Sequence, residues 1–241
     1  MTPSHDIILK RLKTQARRSH FKRRNQMNHS AILKARYRRT ILWPSILAII
    51  NPIRMIRWHL AGKPIPAPGV VKQMIVKSFA NRYSVKTFVE TGTYYGDMLF
   101  SVKNRFDQSY SIELSTDLFR NAEERFRHDR NVTVMCGDSG KVLQALLPQL
   151  QEPCLFWLDA HYSGGITAIG FEESPIALEI DALAVRASKP DVILIDDARC
   201  FNGTGGYPTA NSVTNQLRIE HPRHKVENHL DIIRVYPNGL L

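Results

Sequence analysis

The sequence predicts a doubly wound α/β fold: a mostly parallel, seven-stranded sheet with helices on both faces, ending in an antiparallel hairpin. Three observations predict it. From residue 70 onward, short apolar runs alternate with amphipathic segments, and that alternation demands a parallel sheet buried on both sides. The final two runs, 224–228 and 231–236, are separated by only two residues, far fewer than a parallel crossover needs. Five successive strands end in an acid although their interiors are apolar.

A chain of 241 residues is long enough for one α/β domain with an appendage. The charge divides it. Residues 1–66 hold 15 Lys and Arg against one acid, Asp6, whereas residues 67–241 hold 18 against 21. The formal net charge of +11 therefore belongs to a basic, helical N-terminal arm, and the body at 67–241 is slightly acidic. Such a body is not a general nucleic-acid surface, so nucleic acid is not the expected partner. The apolar stretch 41–53 carries Pro44 and Pro52 and is 13 residues long, shorter than the roughly 20 needed to span a bilayer. Three readings of the arm stay open. It packs on the domain, or it touches an anionic membrane peripherally through residues 1–60, with Trp43, Trp58 and the flanking arginines. The third reading is a nucleic-acid contact or an Arg-rich transit peptide. The stiff run from Lys63 to Gly69 ends the arm. Cys136, Cys154 and Cys200 stand far apart without a metal-binding spacing, which points to a reducing, cytoplasmic setting.

In order, the elements are a helix over 70–83 with Val71, Met74, Ile75 and Phe79 on one face, a strand at 86–90 and a helix over 94–106. A strand at 109–114, a helix at 115–128, a strand at 131–136 and a helix at 140–150 follow. The chain continues with a strand at 154–158, a helix at 174–187, a strand at 192–195, a helix at 212–220 and the closing pair.

In such sheets ligands bind beyond the carboxyl ends of the strands. The first strand delivers Glu90, then Thr91, Gly92 and Gly96 in the turn. The second delivers Glu113, the third Gly137, Asp138 and Ser139. The fourth ends in LDAHYSGG, giving Asp159 and His161, and the fifth gives Asp196 and Asp197. A row of carboxylates suits a cationic, donor-rich ligand; a pyrophosphate would instead want backbone donors and few acids at the first turn.

With VETGTYYG at the first turn, Glu113 lying 21 residues after Gly92, and Asp138 after Gly137, the sequence resembles the class I S-adenosylmethionine-dependent methyltransferases over residues 70–237. LDAHYSGG followed by VILIDDA resembles the branch in which an Asp-x-His after the fourth strand and an Asp pair after the fifth flank the acceptor pocket. The resemblance implies a Rossmann-like methyltransferase fold and S-adenosylmethionine as cofactor, with a sulfonium, an ammonium, a ribose diol and an adenine amine facing acids. It implies cofactor contacts at Glu90, Thr91, Gly92, Gly96, Glu113, Asp138 and Ser139. Gly92 and Gly96 let backbone approach the ligand; Tyr94 stands where the family has a middle glycine.

Each residue also has a plainer reading. Glu90 could cap the next turn, Glu113 could partner the helix from Ser115, and Asp138 could be an N-cap. Asp159 and His161 are two apart and so point the same way from an extended backbone, a plausible acid-supported general base. Asp196 and Asp197 alternate sides, so one of them, Asp197, is expected in the pocket with Asp159 and His161 as the catalytic set. A pocket without metal is expected; the alternative is Asp159, Asp196 and Asp197 together holding Mg²⁺ or a similar hard divalent ion. Gly164, Gly165 and the stretch to Glu173 read as a mobile cover, and residues 201–207 as a second rim. The implied function is O-methylation of a small-molecule or sugar acceptor. Its rivals are a catalytically silent binding protein at a membrane or complex, and an RNA methyltransferase gripping through the arm. Acceptor identity and oligomeric state stay open.

Overall fold

The computed structural model describes residues 34, 37, 38, 40, 42–150, 153–159, 175–204 and 207–239. Along the chain come α1 (Trp43–Leu60), α2 (Gly69–Arg82), β1 (Thr87–Thr91), α3 (Asp97–Val102), β2 (Gln108–Glu113) and α4 (Thr116–Phe126). After these come β3 (Val132–Cys136), α5 (Ser139–Leu146), β4 (Cys154–Leu158), α6 (Pro175–Leu183) and β5 (Val192–Ile195). The last elements are α7 (Ala210–Glu220), β6 (His224–His229) and β7 (Ile232–Pro237). The sheet has seven strands in the order β3-β2-β1-β4-β5-β7-β6. β1 to β5 pair in parallel, and β7 lies antiparallel between β5 and β6.

Alternation along each strand builds two apolar layers. Val89 and Phe156 face α5, α6 and α7 with Leu143, Ile180 and Leu217. Phe88, Leu155 and Trp157 face α2, α3 and α4 with Val76, Leu99 and Phe126. At the start of β4 and β5 a buried ion pair locks the far edge of the sheet. Arg186 donates to both carboxylate oxygens of Asp191, at 2.7 and 3.0 Å, while Asp191 also accepts the N–H of Cys154.

The closing hairpin turns through two residues, Leu230 and Asp231, with φ of 53° and 65°. Paired left-handed residues give the type I′ twist that matches flanking strands. Asp231 holds that turn to the segment after β5: its carbonyl accepts Ala198 N–H at 2.9 Å and its Oδ1 accepts Arg199 N–H at 2.7 Å.

Three sequence expectations change in detail. α2 buries Val71, Val76 and Ala80, while Met74 is exposed. Small residues at 76 and 80 let the helix approach the sheet closely, and Met74 lies round the other side. α3 begins at Asp97 rather than at 94, because residues 92–96 turn through left-handed conformations. α7 begins at Ala210, capped by Thr209, whose side chain accepts Ser212 N–H.

In the arm, α1 buries none of its residues, and Pro52 lies inside it. Ile49, Ile53, Ile56 and Leu60 are exposed, a spacing that places them in one stripe. No described helix is long and apolar enough to cross a membrane. Ahead of α1, Arg38 reaches the body, donating from Nε to Asp97 Oδ2 at 2.8 Å and lying over the Tyr95 ring at 4.3 Å.

Candidate cofactor and acceptor site

The parallel registers bring the carboxyl ends of β1 to β5 to one edge. Glu90 lies beside Ser111 and Trp157, Glu113 beside Cys136, and Leu158 beside Ile195. Strand order changes sense between β1 and β4, the position where open α/β sheets place their ligand crevice.

Glu90 is the deepest acid on this edge, 1% exposed. Its Oε2 accepts from Ser111 Oγ at 2.6 Å, and Ser111 Oγ lies 2.6 Å from Thr93 Oγ1. Burial pushes the Glu90 carboxyl well above the usual range; the Ser111 bond opposes the shift, and the charges of Asp159 and Glu113 add to it. Glu113, 5% exposed, accepts the N–H of Tyr94 on Oε2 and of Ser115 on Oε1, each at 2.8 Å. Burial raises its pKa against those backbone donors. Glu113 thus clamps the first turn to the start of α4, so the helix-partner role and a place on the rim coexist.

The turn itself needs left-handed backbone at Gly92, Tyr94 and Gly96, with φ of 81°, 52° and 74°. Tyr94 adopts the conformation a glycine would take without strain, at a cost of roughly 1 kcal/mol. At Gly96 the backbone also approaches α4: a Cβ there would meet the Phe126 ring at 2.8 Å. Just beyond, Asp97 Oδ1 accepts from Arg125 Nη1 at 2.9 Å, so one carboxylate joins the arm, through Arg38, to the body.

Asp138 caps α5, its Oδ1 accepting Lys141 N–H at 3.2 Å, and Ser139 is buried behind it. Sequence reasoning missed the group next to them. Glu179 on α6 is 0% exposed; the Ser139 and Thr91 hydroxyls lie nearby, but among the described residues neither Glu179 oxygen nor the Thr91 hydroxyl makes a hydrogen bond within 3.5 Å. Burial raises the Glu179 pKa to about 8, with the Ser139 and Thr91 hydroxyls pulling it down and Asp138 and Asp159 pushing it up. The signal was present: Glu179 sits in the helical stripe of Ile176, Ile180 and Leu183, where an apolar residue belongs.

On the other side of the crevice, carboxylate oxygens of Asp159, Asp196 and Asp197 lie within 4.8 Å of one another. Alternation leads one to expect a single member of the Asp pair here. Both arrive because β5 has ended at Ile195 and Asp197 takes left-handed angles, φ 53° and ψ 45°, which swing its side chain round to join Asp196. Lys72 of α2 spans the pair, Nζ lying 2.6 Å from Asp196 Oδ2 and 2.8 Å from Asp197 Oδ1. Arg199 Nη1 also reaches Asp197 Oδ1 at 2.7 Å and bonds Asp231. Burial, with Asp159 next, lifts the Asp196 carboxyl to about 7, against the pull of Lys72. Nothing in the residue pattern of α2 marks it as the source of this cation. His161, Gly164, Gly165 and the rest of the expected cover lie outside the described residues. Of the second rim, Asn202 bridges to Thr209 and the Phe201 and Tyr207 rings lie 5.9 Å apart.

The fold that carries this site is similar to that of solved structures. A Podospora anserina methyltransferase bound to S-adenosylhomocysteine superposes with a TM-score of 0.51 at 14% identity, covering 99% of each chain. An O-methyltransferase from Bacillus cereus, in complex with the same compound, also gives 0.51 at 15% identity, over 85% of this chain and 97% of that one. The fold is theirs. No family model and no curated protein sequence matches the chain.

Proposed function

We propose that the chain is an S-adenosylmethionine-dependent methyltransferase that methylates an oxygen of a small-molecule or sugar acceptor. One observation carries the reading: the acids of β1 and β2 are gathered and buried beside the strand-order switch, where a positively charged, donor-rich nucleotide finds acceptors. Glu113 fits a ribose diol, since each oxygen accepts one backbone N–H and keeps a further lone pair. Glu90 supplies negative charge beneath the first turn, and Thr91, Gly92 and Gly96 shape that turn. Asp138 and Ser139 border the adenine side. Bound there, S-adenosylmethionine supplies an electrophilic methyl group on a sulfonium. Asp159 and Asp197 face the acceptor side, where they orient the hydroxyl, and His161 is the sequence's candidate to take its proton. Most of the acceleration comes from alignment of nucleophile and methyl group. Calorimetry with S-adenosylhomocysteine tests the reading. Micromolar binding that weakens at least about tenfold in Glu113→Ala, a loss of about 1.4 kcal/mol, supports it; no binding at millimolar ligand sinks it.

The exposed stripe of Ile49, Ile53, Ile56 and Leu60, beside Arg54 and Arg57 and behind a strongly basic N-terminal segment, favours a partner for the arm as well. We propose that this partner is an anionic membrane surface, which offers both apolar depth and negative charge. Nucleic acid matches the charge but not the stripe. Co-sedimentation with vesicles containing phosphatidylglycerol tests this. Binding that weakens with salt and is abolished by the double substitution Ile53→Asp, Ile56→Asp is expected; binding indifferent to that substitution overturns it.

A further inference from the structure

We infer that Lys72 is the built-in cation of the acceptor pocket, holding the position between Asp196 and Asp197 that a divalent ion would otherwise take. The carboxylate trio with Asp159 has the composition of a hard-cation site, since oxygen ligands bind Mg²⁺ or Ca²⁺ at about 2.0–2.6 Å. That position is already filled. The ammonium nitrogen stands 2.6 and 2.8 Å from the two oxygens that would bridge an ion, and its side chain is 13% exposed. It cannot share the space, because an ion drawn to those oxygens would meet a unit positive charge at contact distance.

The rest of the pocket agrees with a fixed ammonium. Lys72 lies on the face of α2 turned to the sheet, where Val71, Val76 and Ala80 are buried, so its stem is guided inward by packing. Asp197 is bent into its left-handed conformation in the arrangement that lets both acids reach one donor. Arg199 adds a second cation to Asp197 and Asp196 spends its Oδ1 on the Asp197 N–H at 2.8 Å. The acids are thus committed to nitrogen donors. An acceptor oxygen entering this side would meet an ammonium with a remaining N–H, a donor able to hold a developing oxyanion. This second role rests on the acceptor-side reading above; the cation position does not.

Mn²⁺ binding, followed by its electron paramagnetic resonance signal and by thermal melting, separates the two. The wild-type protein is expected to leave Mn²⁺ free at sub-millimolar concentrations and to melt at the same temperature in Mn²⁺ and in EDTA. Lys72→Met and Lys72→Gln, which vacate the position and leave the acids, should bind Mn²⁺ on the order of tenfold or more tighter and melt higher with it. Loss of that gain in Lys72→Met with Asp196→Asn would assign it to this pair. Tight Mn²⁺ binding by the wild-type protein overturns the inference, even if both variants fail to fold. So does a failure of both folded variants to bind. Neither outcome bears on S-adenosylhomocysteine affinity, so the methyltransferase reading stands or falls separately.

Discussion

Ser111 Oγ and Glu90 Oε2 stand 2.6 Å apart on adjacent parallel strands, the one side-chain donor to a carboxylate buried beneath the crevice among the described residues. Removing it leaves that carboxyl in the interior without compensation. Ser111→Ala is therefore expected to lower stability by about 1–3 kcal/mol, measured by urea unfolding, whereas Ser111→Thr keeps the hydroxyl. Equal loss in both variants would assign the effect to packing rather than to the bond.

Glu90 and Glu113 are both raised above the ordinary carboxylate value of 4.5 by burial. A cationic cofactor favours their ionised forms, so binding is coupled to proton release and tightens as pH rises through the range in which they ionise. Calorimetry in two buffers of different ionisation enthalpy should show protons leaving on binding, and fewer leaving in Glu90→Gln. Proton uptake instead would contradict the arrangement.

Glu179 yields a stability prediction with a definite sign. Its pKa is about 8 in the folded chain and near 4.5 when unfolded. Between those values the folded state holds a proton that the unfolded state has lost, so stability falls as pH rises from 4.5 to 8, by at most about 1.4 kcal/mol per unit. Glu179→Gln should cancel that decline: its melting temperature matches wild type near pH 4.5 and exceeds it at pH 8.5. A variant less stable at pH 8.5 would mean that the ionised carboxylate has a partner.

At the first turn, two substitutions should act oppositely. Gly96→Ala adds a methyl 2.8 Å from the Phe126 ring at a positive φ, costing about 1–3 kcal/mol by overpacking. Tyr94→Gly relieves a left-handed tyrosine at φ 52° and should leave stability within about 1 kcal/mol of wild type. Chemical denaturation of both variants checks the pair. Similar losses would show that the Tyr94 ring, not its backbone, matters there.

The strand and helix order was legible because apolar periodicity reports burial directly: Phe88 and Val89, or Leu155 and Phe156, announce a two-sided sheet. The hairpin followed from the two-residue gap between the last two runs, too short for a parallel crossover. The rim acids were legible as positions, since Glu90, Glu113 and Asp138 end apolar runs, but their bonding was not. Glu113 engages Tyr94 and Ser115 through backbone groups that carry no side-chain signature. Lys72 and Glu179 differ in this respect. Lys72 is a single charged residue on a helix, and only tertiary packing shows that its face turns inward, whereas Glu179 stands out as a charge inside an apolar helical stripe. Asp197 joined Asp196 because one left-handed residue broke the alternation on which a two-residue period depends.

The strand order carries a consequence for synthesis. β7 is inserted between β5 and β6, and its leading turn supplies Asp231, which braces Arg199 and with it Asp197. Until residues 231–237 have been made, β5 lacks one neighbour, Arg199 lacks Asp231, and the core layer around Phe88 lacks Ile232 and Tyr236, so both halves of the site wait on the last strand to emerge.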